Sequence, residues 1–269
     1  MKSTSWFRVA IATSSRDPEL VLASGEHLGE AIQKAEKNLD GWVIAVDPAT
    51  TEEIPLGESV GKGQIVKLGP APAGLATFKF PVGIVPATSG GITNPQRGWV
   101  ERTGEQLAVI EAQTDRERVI DLFLSIVERL PSADNLEVRM LPSFDAGATT
   151  DVWLTSRVNA KKIIRLLDDH DTELFGNGWL ELGVYVRAHK GTLRLTSNKT
   201  IAWIAEERGL VTEVTRWFGE LDVPPIANLV TVDEGAHHRY RPAGTRNRSK
   251  LGDELYRQRL RRVDQIKVS

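Results

Sequence analysis

Asp168-Asp169-His170-Asp171-Thr172-Glu173 gathers four carboxylates and an imidazole within six residues, oxygen donors enough for a hard cation such as magnesium or calcium. The spacing fits no calcium loop, which needs a central glycine and a distal bidentate glutamate. A solvated helix end accounts for the acids more simply. Asp168, Asp169, Asp171 and Glu173 are therefore read as a contact surface for a basic partner, and a metal-dependent enzyme built on the 168–173 loop is kept as the second alternative.

Other chemical signatures fail on context. Gly57-Glu58-Ser59-Val60-Gly61 has the spacing of a nucleophile elbow, which requires a buried strand before the serine and a helix after it. Here a proline-bearing segment precedes the serine, and Gly61 to Val66 reads as turn and strand. Gly61-Lys62-Gly63 approaches the phosphate-loop pattern, but Leu56 stands where the first glycine belongs and Gly63 where the hydroxyl belongs. His237 and His238 could act in acid-base or metal chemistry, yet neighbouring residues of a strand face opposite sides. No catalytic residue, metal ligand or cofactor is assigned.

Charge is segregated. Residues 236–269 hold ten Lys/Arg against three Asp/Glu, +7, so residues 1–235 carry −9 of the net −2. Arg239, Arg241, Arg246, Arg248, Arg257 and Arg261 in this tail alternate with Tyr240 and Tyr256. Guanidinium groups neutralise phosphates and tyrosines stack on bases, so a nucleic acid is the first alternative partner. A basic tail can equally dock on an acidic protein surface, its own included.

The elements that would position these residues follow from periodicity. Trp6 to Thr13 and Leu20 to Ala23 read as a hairpin across Ser14 to Pro18. Ser24 is read as the cap of a helix carrying Leu28, Ala31, Ile32, Ala35 and Leu39 on one face. Trp42 to Val46 and Ile54 to Leu56 complete a ββαββ order. The order returns with Leu136 to Leu141, Val152 to Thr155, a helix after Ser156 with Ala160, Ile163, Ile164 and Leu167, then Leu180 to Val186 and Thr192 to Thr196. Leu22-Ala23-Ser24 matches Leu154-Thr155-Ser156, and Gly41-Trp42 matches Gly178-Trp179, so an internal repeat is inferred.

Between the two units, residues 54–98 hold nine of the 23 glycines and six of the 13 prolines, the composition of a loop-rich connector. Trp99 to Ile110 suggests a hairpin, and Thr114-x-x-Glu117 a capping box before a helix from Arg116 to Leu130, apolar on more than one stripe. A strand from Lys199, a helix over Glu206 to Leu221 and a strand at Ala227 to Val232 follow. The tail reads as a weakly docked helix from Lys250 to Ile266.

The expectation is an α+β fold of mainly antiparallel sheets with helices on one face. Its parts are a first unit at 1–66, a connector, hairpin and buried helix at 67–132, a second unit at 133–235 and a basic tail at 236–269. Absence of cysteine excludes disulfides, thiolate catalysis and zinc-thiolate sites. No signal core or bilayer-length apolar run is present, so the expected location is cytoplasmic with no membrane partner. By elimination, the leading expectation is a non-catalytic protein-binding protein, an adaptor or an antitoxin- or immunity-like inhibitor.

Overall fold

The computed structural model describes residues 4–54, 64–88, 95–103, 107–206 and 208–267. The first part of the chain forms β1 (Ser5–Ala12), β2 (Glu19–Gly25), α1 (Leu28–Leu39), β3 (Trp42–Pro48) and β4 (Ile65–Pro70), a four-stranded antiparallel sheet in the order β3-β1-β2-β4. Large and small residues alternate in β1: Val9 and Ile11 face α1, whereas Ala10 and Ala12 pack with Ile44 and Ala45 on the other face. Strand periodicity of two thus gives both faces a buried layer, one thick enough for Ala31, Ile32 and Ala35 of α1, the other thin and covered by Ala71 and Leu75.

The rest adds β5 (Ile84–Pro86), β6 (Gly98–Thr103), β7 (Ala108–Gln113), α2 (Val119–Arg129), β8 (Asn135–Met140), β9 (Thr149–Thr155), α3 (Ala160–Asp169), α4 (Asp171–Leu174), β10 (Leu180–Val186), β11 (Gly191–Leu195), β12 (Ile201–Ala205), α5 (Val211–Glu220), β13 (His237–Arg239), α6 (Arg248–Arg257) and β14 (Leu260–Lys267). Eight of these strands form a second antiparallel sheet, β14-β9-β8-β10-β11-β12-β7-β6, while β13 and β5 pair separately. Leu136, Val138, Leu182, Val184, Leu193 and Trp203 of the sheet meet Phe123 and Ile126 of α2, Ile163 and Leu167 of α3, and Val214 and Phe218 of α5 in one core. Burying each such side chain contributes about 1.5–3 kcal/mol.

The opposite face of this sheet is polar. Arg194 bonds Glu137 at 3.2 Å and Glu181 at 3.5 Å. Glu137, Gly183 and Arg194 lie side by side on β8, β10 and β11, so the two charged side chains join across the glycine.

The two units share strand order through ββαβ: β1 is flanked by β2 and β3, as β8 is by β9 and β10. They part at the fourth strand. β4 pairs with β2, but β11 pairs with β10, and β14 takes the place beside β9 that β4 has beside β2. The fourth strand of the first unit lies at Ile65–Pro70 instead of Ile54 to Leu56; Ile54 is a bend, and Pro55 and Leu56 lie outside the described residues.

Other expectations are corrected by local competition for hydrogen bonds. Neither Ser24 nor Ser156 caps a helix, because the strands run on past or up to them; the caps are His27, accepting from Glu30 N, and Asn159, accepting from Lys162 N at 3.0 Å. The Thr114-Glu117 capping box does not form: α2 begins at Val119, Thr114 Oγ1 is buried without a partner, and Lys79 pairs with Glu117. Arg116 N bonding Lys79 O and the Arg116 guanidinium bonding Glu36 hold this turn against the first unit instead. Residues 227–232 make no strand. The helix read over 250–266 ends at Arg257, where Arg259 turns left-handed (φ 67°) and β14 begins. Leu251, Leu255 and Leu260 are at most 2% exposed, so this segment is part of the core and not weakly docked.

Candidate functional site

The residues from Tyr240 onward cross the molecule and meet the acidic loop. Glu173 is buried and accepts from Arg246 N at 2.6 Å and from the Arg246 guanidinium. Arg246 also approaches Glu254 at 3.6 Å, and His170 faces the same carboxylate at 3.9 Å. The hydrogen bond from Gln258, joined by the Arg246 charge and opposed by burial, holds the Glu254 carboxyl below its usual range.

Arg248 is the most completely engaged of the tail arginines. Its Nε donates to Asp151 at 3.1 Å, and its terminal nitrogens donate to the main-chain oxygens of Leu141 (2.8 Å), Met140 (3.3 Å) and Thr149 (2.6 Å). Its own N–H donates to Asp145 at 2.8 Å. A planar fork with five donors suits this convergence of carbonyls and carboxylate. Arg241 lies 3.6 Å from Asp145 and donates to Thr245 O. Arg239 donates to Asn198 at 2.8 Å and sits 5.9 Å above Trp179, as Lys79 sits 4.7 Å from the Trp42 ring.

Of the sequence-derived residues, the fold therefore joins Glu173 with Arg246 and turns Arg241 and Arg248 inward to Asp145 and Asp151. It leaves the others apart. Asp168 is exposed, Asp169 reaches only Arg165 at 3.8 Å, and Asp171 accepts from Thr172 Oγ1 at 2.9 Å. Arg257 is exposed and pairs with Glu254 within its helix, and Arg261 stacks 4.4 Å over the exposed Tyr256 ring. His237 bonds Gly235 O, whereas His238 turns toward Asp47 at 3.7 Å. Among the described residues no three His, Asp or Glu side chains gather where they could hold a metal ion. Ser59 and Lys62 lie outside the described residues.

Around Arg248 runs a groove of about 1010 Å³ between α6 and the β8-β9-β14 edge, lined among others by Trp153, Asn247, Ser249, Tyr256, Arg261 and Arg262. At its base Gly252 lets α6 lie close against β9, since a Cβ there would stand 3.1 Å from the Trp153 ring. The adjoining strand β14 ends the sheet, and no described strand pairs with its outer side. The other end differs, since Trp99 of β6 exchanges hydrogen bonds of 2.9 Å with Pro224 and Ile226.

A residue that sequence reasoning missed is Lys199. It is 1% exposed, stands in the turn before β12 with φ 62°, and donates from Nζ to Asn177 O at 2.8 Å. Burial, opposed by Glu181 and assisted by Arg239, pulls its pKa down to about 7. Ser197-Asn198-Lys199-Thr200 reads as an ordinary polar turn, so nothing in the sequence marks the inward side chain. The chain matches no family model, no curated protein and no solved structure.

Proposed function

We propose that this is a non-catalytic protein-binding protein, an adaptor or inhibitor, whose contact surface is the α6 groove together with the outer side of β14. The observation that carries the reading is the exposed Arg261-Tyr256 stack beside Arg262 and Trp153, next to a sheet edge with no described pairing strand. An extended segment can add main-chain hydrogen bonds to such an edge while side chains fill the groove. Asp145 and Asp151 of the groove already face Arg241, Arg248 and Arg262, which leaves the exposed Arg261 to favour an acidic segment, and charged residues on an edge strand also discourage indiscriminate pairing. A cytoplasmic location and descent of the two ββαβ orders from one ancestral unit belong to the same proposal.

A nucleic acid is the second reading, favoured by the same arginine-tyrosine stack, since exposed aromatics beside guanidinium groups accept bases and phosphates. The test is capture from native lysate with and without nuclease, using the wild-type chain and an Arg261→Glu/Arg262→Glu variant. A protein retained after nuclease and lost from the variant supports the first reading. Recovery of nucleic acid alone, falling steeply with salt, overturns it in favour of the second.

A further inference from the structure

A second opening lies elsewhere, at the seam between the two sheets. Gly29 of α1 touches the backbone of the 240–243 segment so closely that a Cβ would fall 1.9 Å from Arg241 O. Beside this contact, α1 and the start of α2 line a gap. The gap is spanned on one side by Arg116, whose two terminal nitrogens donate to the two oxygens of Glu36 at 2.5 and 3.1 Å. What remains is a cavity of about 270 Å³.

Its walls are mostly apolar, with Ile32 from α1, Val119 and Ile120 from α2, Val82, Phe175 and the buried Tyr240, and its polar lining is Gln33, Glu36, Arg116, Asp171 and Thr172. Pockets with such walls and a few placed polar groups are the usual form of small-molecule sites. An apolar cavity of about 150 Å³ takes one benzene, so this space holds a ring with a short arm, roughly ten heavy atoms.

The polar groups select the charge of the arm. Both terminal nitrogens of Arg116 are engaged by Glu36, and Glu36 also accepts from Val43 N at 3.2 Å, so that pair is internally matched. Tyr240 is uncharged, its phenol pushed up to about 12 by burial and by Glu36. At the mouth stands the exposed Asp171; among the described residues its carboxylate makes no ion pair and accepts from the N–H and hydroxyl of Thr172. Of the charged groups lining the cavity, the one without an ion-pair partner among the described residues is therefore negative, and Gln33 adds a neutral donor and acceptor.

We propose that this cavity binds a small aralkyl amine, its ring against Ile32, Val119 and Phe175 and its ammonium group at Asp171. The site is separate from the α6 groove and stands whether or not the groove binds a protein. A ligand here touches α1, α2 and the 240–243 segment at once, so it joins the two halves of the molecule.

The test is isothermal titration of the full chain with three probes of closely similar size: 2-phenylethylamine, phenylacetate and 2-phenylethanol. The amine is expected to bind about tenfold more tightly than the other two, the scale of one charge-assisted hydrogen bond. Asp171→Asn, a change at an exposed position, is expected to abolish that preference while leaving weak ring binding. Ala243→Phe, at the partly exposed rim, is expected to block all three probes. Equal affinity for the three probes, tighter binding of the carboxylate, no saturable binding, or a preference unchanged in Asp171→Asn would each overturn the proposal.

Discussion

Lys199 spends its charge on a main-chain oxygen: its Nζ lies 2.8 Å from Asn177 O, with no carboxylate in direct contact among the described residues. Burial lowers its pKa from 10.5 to about 7. An unfolded chain keeps the proton up to the ordinary value, so between about pH 7 and 10.5 the unfolded state holds more protons than the folded one, and stability rises with pH. The penalty is complete below about pH 7. Urea midpoints measured from pH 7 to 10 should climb in the wild type and stay flatter in Lys199→Met, which should also be the more stable protein at pH 7.

Tyr240 sets the opposite slope at higher pH. Burial first, then the Glu36 charge, raises its phenol from 10.0 to about 12. The unfolded chain loses this proton first, so stability present below pH 10 is lost as pH rises toward 12. Tyr240→Phe should remove that part of the alkaline decline, read from melting temperatures on either side of pH 10.

Removing Arg248 should be costly. Its loss leaves the buried Asp151 without its nearest cation and uncovers the carbonyls of Met140, Leu141 and Thr149. Arg248→Ala should destabilise by about 3–5 kcal/mol, the cost of breaking a buried pair from one side. Arg248→Lys should recover only part of this, since a point charge cannot fork across these acceptors. Denaturant midpoints with unchanged slopes check both.

Thr114 distinguishes two accounts of how α2 begins. A capping threonine replaced by a non-capping residue costs about 0.5–2 kcal/mol. Thr114 Oγ1 is instead buried without a partner, so Thr114→Val should be neutral or stabilising by about 1 kcal/mol. A clear loss of stability would restore the capping box.

Removing the chain from Leu260 onward should expose the hydrogen-bonding edge of β9. Such an edge is a template for pairing between molecules, and the shortened protein should sediment as larger species than the full chain at the same concentration.

Much of the fold was legible where one periodicity acted alone. The β1-β2 hairpin and the alternation of Leu180, Leu182, Val184 and Val186 declared themselves, and Asp40-Gly41 marked the end of α1, where Asp40 turns left-handed (φ 50°). Legibility failed where distant groups decided. Leu251, Leu255 and Leu260 suggested one continuing helix because nothing about arginine announces the left-handed turn at Arg259. The candidate residues divided the same way. Their charges were visible, but the turning inward of Glu173, Arg246 and Arg248, and the burial of Lys199, depend on partners 22 to 108 positions away. No local pattern encodes such distances.

The pairing of Leu260 with Thr155 also orders events in time. The four strands of the first sheet are all present by residue 70, so that half can close while synthesis continues. The larger sheet has no neighbour for β9 on that side until residues 260–267 emerge. For the intervening stretch of translation, the nascent chain carries a folded head and an open-edged sheet, the interval in which a passing chaperone or a neighbouring ribosome's product has its best opportunity to bind.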